Sequence, residues 1–226
     1  PPSRMEAGES IGFFYGYQTD GVFQNQAEID TGAVTSTATS PGDLKFVDQN
    51  NDGKIDLEDR VNLGDPIPEF TMGFSLGFNY KNFDFSSSAF ASIGNDIVRN
   101  YERVQPQVNR INSSLGRWTG EGTSNNIPRV TAGATPNSLF SDYFVEDGSY
   151  LRIQNVQVGY SLEDSLLTKV GLDKLRFYVS VNNLYTFTDY KGYDPSASSG
   201  DPIGAGVDQG FYPVPRTVLL GMNLKF

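Results

Sequence analysis

The sequence predicts an all-β fold, and more narrowly an antiparallel transmembrane β-barrel segment with long extracellular loops. Three observations predict it: segments in which apolar and polar residues alternate, an abundance of glycine and aromatic residues, and connections that alternate between long and short. The 226 residues include 24 Gly, 16 Phe and 12 Tyr. Each alternating segment holds about 9 to 13 residues, close to the length that a tilted strand needs to cross a bilayer.

The composition excludes several classes of function. The formal charge is −10, so the chain is a poor ligand for polyanions and no nucleic-acid partner is expected. It contains neither Cys nor His, which removes thiolate and imidazole catalysis and Cys/His metal sites. No enzymatic activity is therefore predicted, and any metal must be bound by oxygen atoms.

Six segments carry the strand pattern. In the clearest, the apolar residues from Phe70 to Tyr80 occupy alternate positions and small polar residues lie between them. In the fourth segment the apolar phase slips near Gln154–Asn155, which predicts a β-bulge. All 12 prolines fall outside these segments. The predicted strands are about 11–23, 69–80, 83–93, 150–162, 175–187 and 217–226.

The connections between these strands follow the rule of outer-membrane barrels, which have short turns on one side and long loops on the other. Lys81–Asn82 is a tight turn and 163–174 a modest one. Residues 24–68, 98–142 and 189–215 form long polar loops, which this topology predicts to be extracellular. Because even small membrane barrels use about 8 strands, other strands of the same barrel must complete the wall. The chain also opens without Met, as expected of a piece of a larger protein.

Two soluble alternatives remain open at this point. A calcium-stabilised secreted β-sandwich that binds carbohydrate, or a small surface-adhesion module, would also show alternation, glycine and proline. Such a sandwich has no reason to keep the asymmetry between short and long connections.

Several stretches together resemble the C-terminal part of the SusC/RagA-type TonB-linked outer-membrane transporters of the Bacteroidetes. The combination of stretches, in this order and spacing, is specific to that family, although no single piece is. The stretches are GDPIPEF at 64–70, GFSL at 73–76, YKNFD at 80–84, EDGSYLR at 146–152, VNNLYTFT at 181–188 and YKGYDP at 190–195.

The resemblance implies more than the residues show. Such transporters are 22-stranded barrels in the outer membrane of Gram-negative bacteria, plugged by an N-terminal domain and energised through TonB. A SusD-like surface lipoprotein caps them and captures oligosaccharides or peptides. The chain would then hold about the last six strands, and its partners would be the remainder of the barrel and plug, the lipoprotein, the substrate and outer-membrane lipid. TonB would act through the missing N-terminal part.

One loop has the spacing of an EF-hand-type calcium site. Oxygen side chains stand at loop positions 1, 3, 5, 9 and 12, with Gly53 at position 6. Position 12 is Asp rather than Glu, and the alternative is a solvated Asx-turn loop. Calcium is the predicted cofactor. Its predicted ligands are Asp48, Asn50, Asp52, the carbonyl of Lys54, Asp56 and Asp59.

Two further predictions concern surface residues. Arg117, Trp118, Tyr190 and Tyr193 lie in the predicted outer loops and are candidate contacts for substrate or partner, although aromatic residues also collect at membrane interfaces. Phe226 ends the last alternating segment, an arrangement that resembles the assembly signal of outer-membrane barrels.

Overall fold

The computed structural model describes residues 2–36, 38–102, 111–131, 135–167, 171–196 and 200–226. These residues form two compact units. The first, called the loop unit, comprises Pro1–Ile67, Asp96–Glu146 and Ser198–Phe211. The second, called the sheet unit, comprises Pro68–Asn95, Asp147–Ala197 and Tyr212–Phe226. Much of the long connections 24–68, 98–142 and 189–215 lies in the loop unit.

The regular elements are mostly short in the loop unit and long in the sheet unit. Two short helices, α1 (Gln26–Thr31) and α2 (Asp164–Leu167), accompany the strands. The strands are β1 (Ser3–Arg4), β2 (Phe13–Tyr17), β3 (Thr19–Val22), β4 (Val34–Thr35), β5 (Leu44–Phe46), β6 (Lys54–Ile55), β7 (Arg60–Gly64), β8 (Phe70–Tyr80), β9 (Phe83–Ile93), β10 (Asp96–Arg99), β11 (Val145–Asp147), β12 (Tyr150–Ser161), β13 (Lys174–Thr188), β14 (Val207–Asp208) and β15 (Thr217–Lys225).

None of the helices found in the described ranges has the length and apolar character needed to cross a membrane.

The sheet unit is built on one antiparallel sheet of five strands in the order β15-β13-β12-β9-β8. These strands are 9 to 15 residues long, and their bounds lie within two residues of the predicted segments. β8 and β9 are joined by the two residues Lys81 and Asn82, with Lys81 at a φ of 52°. The connection from β12 to β13 is also short, while those from β9 to β12 and from β13 to β15 are long. The sheet therefore has short connections at one end and long ones at the other.

The strand register places apolar and polar side chains on opposite faces of this sheet. Phe78 pairs with Phe85, which pairs with Val158, which pairs with Val179, which pairs with Leu220. The adjacent row runs through Gly77, Ser86, Gln157 and Ser180 to Leu219. Since side chains alternate between faces, one face is mainly apolar and the other mainly polar, although Phe90 and Leu219 lie on the polar face.

The bulge predicted near Gln154–Asn155 is confirmed. The register of β12 shifts between Ile153 and Asn155 against both of its neighbours. Asn155 then donates from Nδ2 to Ser180 Oγ (2.9 Å) and to Asn182 Oδ1 (2.7 Å) on the polar face. The extra residue keeps Val156 and Val158 on the apolar face after the slip.

The predicted membrane strand 11–23 is wrong. These residues form β2 and β3, which pair with β7 and β5 in two small sheets of the loop unit. Phe13, Phe14 and Tyr17 are buried. The physical reason is visible in the sequence FFYGY at 13–17, where aromatic residues stand in consecutive positions and must be covered on both faces.

The loop unit has a hydrophobic core of its own. One cluster consists of Tyr17, Val22, Leu44, Phe46 and Ile55, with Trp118 packed against it. A second cluster contains Phe14, Val98 and Val207. The predicted loops 24–68, 98–142 and 189–215 thus supply core side chains, and their parts 103–110, 132–134 and 197–199 lie outside the described residues.

Candidate functional site

The predicted calcium loop is a tightly turned segment. Asp48 Oδ1 accepts the N–H of Asn51 (2.7 Å) and Asp48 Oδ2 accepts that of Gly53 (2.8 Å). Gly53 has a φ of 83°, a backbone conformation that suits glycine, and a Cβ there would meet nothing within 4 Å. Ile55, two residues later, is buried in the core of the loop unit. The loop is therefore tied at its base by an apolar anchor.

The remaining predicted ligands also accept backbone N–H groups. Asp56 begins a 3-10 turn at Leu57–Asp59 with a capping box. Asp59 is buried, and its Oδ1 accepts from Gln49 (2.8 Å) while its Oδ2 accepts from Asp56 (2.8 Å). Within the described residues, no three Asp, Glu, His or Cys side chains converge as metal ligands. The arrangement curls the loop through Asx turns and leaves further lone pairs on each carboxylate.

Trp118 and Arg117 are structural parts of the loop unit. Trp118 Nε1 donates to Gln24 Oε1 (3.1 Å), and its ring covers Gly42, where a Cβ would lie 2.4 Å from the ring. Arg117 Nη1 donates to the carbonyl of Ser114 (3.2 Å). Trp118 is therefore held by packing, and neither side chain is a free contact group.

Tyr190 and Tyr193 of the sheet unit differ in exposure. Tyr190 is 5% exposed and its ring lies over Gly192, whereas Tyr193 is 77% exposed. Of the four predicted contact residues, Tyr193 is the one whose ring is mainly accessible. Phe226 is 85% exposed and follows the last residue of β15.

A buried ion pair that the sequence analysis missed fixes the loop after β13. Arg152 on the polar face of β12 donates from Nη2 to Asp194 Oδ1 (2.5 Å). Asp194 also accepts the N–H of Ser196 (2.9 Å) and the N–H of Val214 (2.9 Å). Burial alone would raise the pKa of Asp194, but these donors together hold that pKa below its ordinary value of 3.8. A lone Arg in a strand segment was the only sequence signal.

The loop unit contains a cavity of about 460 Å³. Arg99, Arg129 and Arg60 contribute to its lining, together with Tyr15, Asn137 and Tyr143. Arg129 Nε and Nη2 contact the two oxygens of the fully buried Asp43 at 2.7 and 3.0 Å. Arg99 is also paired with carboxylates, so two of the three guanidinium groups form ion pairs.

Arg99 is held by two carboxylates, Glu102 at 2.6 Å and Glu146 at 2.7 Å. Burial would lower the pKa of Arg99, but Glu102, Tyr143 and Glu146 outweigh that effect and raise it. Burial raises the pKa of Tyr143, over whose ring the Arg99 guanidinium lies at 5.1 Å. This cluster therefore keeps Arg99 charged and Tyr143 neutral at ordinary pH.

The apolar face of the five-stranded sheet is the largest chemically uniform surface of the sheet unit. Phe74 on β8 is 58% exposed and Leu220 on β15 is 81% exposed. The same face carries Met72, Leu76, Phe78, Phe83, Leu151, Val158, Phe177, Val179, Phe187, Val218 and Met222, each at least 42% exposed. A soluble protein rarely presents so continuous an apolar surface.

The comparisons with known proteins agree with this geometry. The chain is 38% identical to TonB-dependent receptor P3 of Formosa agariphila over 231 residues, covering 98% of the chain and 23% of that receptor. It is 33% identical to TonB-dependent receptor SusC of Bacteroides thetaiotaomicron over 190 residues, covering 82% of the chain and 18% of SusC. No family model matches.

Solved structures show the same fold. The structure of the RagAB peptide transporter superposes with a TM-score of 0.72 at 21% identity, covering 100% of this chain and 24% of that one. The RagAB peptide importer in its open-open state gives a TM-score of 0.70 at 21% identity, over 99% of this chain and 25% of that one.

These relationships confirm the predicted resemblance and decide against a secreted sandwich. The fold and the apolar sheet face define a piece of a TonB-dependent receptor. The chain belongs to the SusC/RagA family of these receptors. It spans about a quarter of the length of the curated relatives that it matches.

Proposed function

We propose that this chain forms part of the wall and outer-loop body of a SusC-like importer in the outer membrane of a Gram-negative bacterium. The observation that carries the proposal is the five-stranded sheet with one continuous exposed apolar face, because lipid is the solvent that such a face requires. The sheet would be a sector of the 22-stranded barrel that the resemblance implies. In this arrangement the long connections lie outside the cell.

The open edges of the sheet support the same proposal. β8 and β15 are edge strands of 11 and 9 residues, and no strand among the described residues pairs with the outer side of either. Such edges are costly in lipid and prone to aggregation in water. Further strands of the same barrel would pair with both, which removes the edges.

The substrate of the importer would be an oligosaccharide or a peptide, taken up with energy from TonB. The test is uptake by cells that lack the gene, compared with cells that lack TonB, with mixtures of fluorescent oligosaccharides and peptides as probes. Loss of uptake of the same probe in both strains supports the proposal. Undiminished uptake without the gene would contradict it.

The importer would work with a SusD-like surface lipoprotein, and the exposed ring of Tyr193 is the contact that we propose for it. Tyrosine combines apolar area with a hydroxyl donor and is frequent at binding hot spots. Tyr193→Ala should therefore reduce the amount of lipoprotein that co-purifies. Tyr160→Ala, on the apolar sheet face, is the matched control and should leave co-purification unchanged. Equal yields for both variants would remove Tyr193 from the interface.

We also propose that the loop of residues 48–59 binds Ca²⁺. The glycine with positive φ at position 6, the buried Ile55 at position 8 and the carboxylates at positions 1, 5, 9 and 12 support this. The ligands would be the Asp48, Asn50, Asp52, Asp56 and Asp59 side chains and the Lys54 carbonyl. Calcium would neutralise part of the charge that these four carboxylates place in one short loop.

A further inference from the structure

One arginine in the lining of the loop-unit cavity, Arg60, differs from the other two in its contacts with the described residues. Arg99 and Arg129 are paired with carboxylates, as described above. Arg60 takes part in no ion pair with any residue in the described ranges. Its guanidinium lies 5.1 Å from the centre of the Tyr17 ring, which fixes its position by a cation–π contact.

The same arginine has an unsatisfied donor. Arg60 Nε is buried and makes no hydrogen bond to any described residue. A buried donor without a partner is destabilising, more so when it is charged, so native proteins rarely keep one. An anionic ligand in the cavity would satisfy the donor and neutralise the charge together.

The surroundings of Arg60 fit a small organic acid better than a simple ion. The volume of about 460 Å³ is within the range of small-molecule sites. Tyr15, Phe140 and Tyr143 contribute apolar surface to the lining, and Asn100 contributes an amide group. The planar guanidinium fork matches a carboxylate with two parallel hydrogen bonds.

We propose that this cavity binds the carboxylate of an imported ligand, with Arg60 as its anchor. The inference rests on the proposed function, since it treats the ligand as a substrate. Two sources supply this chemistry: the C-terminal carboxylate of a short peptide and the carboxylate of an acidic sugar. Arg99 and Arg129 are already paired with Asp43, Glu102 and Glu146, so among the three lining arginines the recognition of one carboxylate is assigned to Arg60.

The test measures binding to the purified full-length transporter in detergent by calorimetry. The probes are trialanine and its C-terminal amide, and digalacturonic acid and its methyl ester. The free acid of the correct source should bind at least tenfold more tightly than its neutral derivative, and this comparison needs no variant. Which of the two pairs shows the difference identifies the source.

Variants then assign the effect to Arg60. Arg60→Gln should remove the tenfold preference for the acid and leave the affinity for the neutral derivative unchanged. Lys45→Gln, which removes a cation of the same unit outside the cavity lining, is the matched control and should retain the preference. Equal affinity of acid and neutral forms for the unmodified protein would overturn the proposal, as would an unchanged preference in Arg60→Gln.

Failure of this inference is distinguishable from failure of the proposed function. Uptake of the probe mixtures by cells reports import whether or not the cavity discriminates between acid and amide. A transporter that imports but shows no preference for the acid contradicts only the assignment of Arg60.

Discussion

A single buried carboxylate, Asp194, ties together β12, the loop that follows β13 and the segment before β15. It accepts hydrogen bonds from Arg152, Ser196 and Val214. Breaking a buried pair by removing one partner costs about 3–5 kcal/mol, because the other charge is left uncompensated. This residue therefore organises one end of the sheet unit more than any exposed ion pair can.

Asp194→Asn should lower the hydrogen-exchange protection of the Val214 and Ser196 amides, by roughly a factor of 100 for a local loss of about 3 kcal/mol. The control is Asp173→Asn, which removes an exposed pair with Lys225 at 3.6 Å and should change little. Unaltered protection of Val214 in Asp194→Asn would show that the pair does not hold the loop.

The same site predicts a pH dependence. Because the folded-state pKa of Asp194 lies below its ordinary value of 3.8, its contribution to stability is fully present above that value. It is lost as the pH falls through the folded pKa, so the protection of Val214, corrected for intrinsic exchange, should be constant at neutral pH and decrease only below about pH 4. A decrease already between pH 7 and pH 5 would contradict the assignment.

Calcium binding by the loop of residues 48–59 can be tested with substitutions that remove charge and keep the acceptor oxygens. Asp48 accepts three backbone N–H groups, so an alanine would unravel the loop whether or not a metal binds. Asp48→Asn with Asp52→Asn keeps acceptor oxygens and removes two charges. In the wild type, tryptic cleavage after Lys54 should be at least tenfold slower with Ca²⁺ than with a chelator, and the double variant should lose this difference.

Glu58→Gln is the control for this experiment, because Glu58 is acidic and exposed in the same loop but is not a proposed ligand. It should behave as the wild type does. If calcium and chelator gave the wild type equal cleavage rates, the metal assignment would fail.

At the scale of secondary-structure elements, the alternation of apolar and polar residues predicts those strands whose two faces have different surroundings. β8 alternates strictly, and β9, β12, β13 and β15 follow the same period of two with exceptions, so this period predicts all five strands and even the slip at Gln154–Asn155. The prediction of a membrane strand at 11–23 is wrong because both faces of β2 are buried. A strand that is covered on both faces shows no alternation of apolar and polar residues.

The site residues were less predictable than the strands, for a related reason. The residue types of Trp118 and Tyr190 indicate contact residues, but packing against Gly42 and Gly192 decides their environment. The ion pairs of Arg152 with Asp194 and of Arg129 with Asp43 join residues 42 and 86 positions apart. Such long-range pairings leave no local signal in a single sequence.

The last strand carries a prediction about assembly. Phe226 is exposed beyond β15, whereas Leu224 pairs with Leu175 inside the sheet. If Phe226 is an assembly signal, deleting it from the full-length protein should reduce the heat-modifiable barrel in the outer membrane several-fold more than Leu224→Ala does. Comparable yields would make Phe226 an ordinary apolar residue of the strand end.

At the scale of the whole molecule, the two units contribute different structural features. The sheet unit supplies an apolar surface with two open edges, and the loop unit supplies a folded body with its own core and cavity. The predicted loops are thus not loose connections, because their apolar residues cover one another. Substitutions in the loop unit should therefore affect ligand binding. They leave the alternation of apolar and polar residues in the sheet strands unchanged.

The central claim is that one face of the five-stranded sheet contacts lipid. The chain contains no cysteine, so nitroxide labels can be placed singly through Phe74→Cys and Ser75→Cys, with any cysteine elsewhere in the full-length protein replaced. In lipid vesicles, the label at position 74 should collide mainly with oxygen dissolved in the bilayer. The label at position 75 should collide mainly with a water-soluble nickel complex. Equal accessibility of both positions to the nickel complex would contradict a membrane-facing sheet.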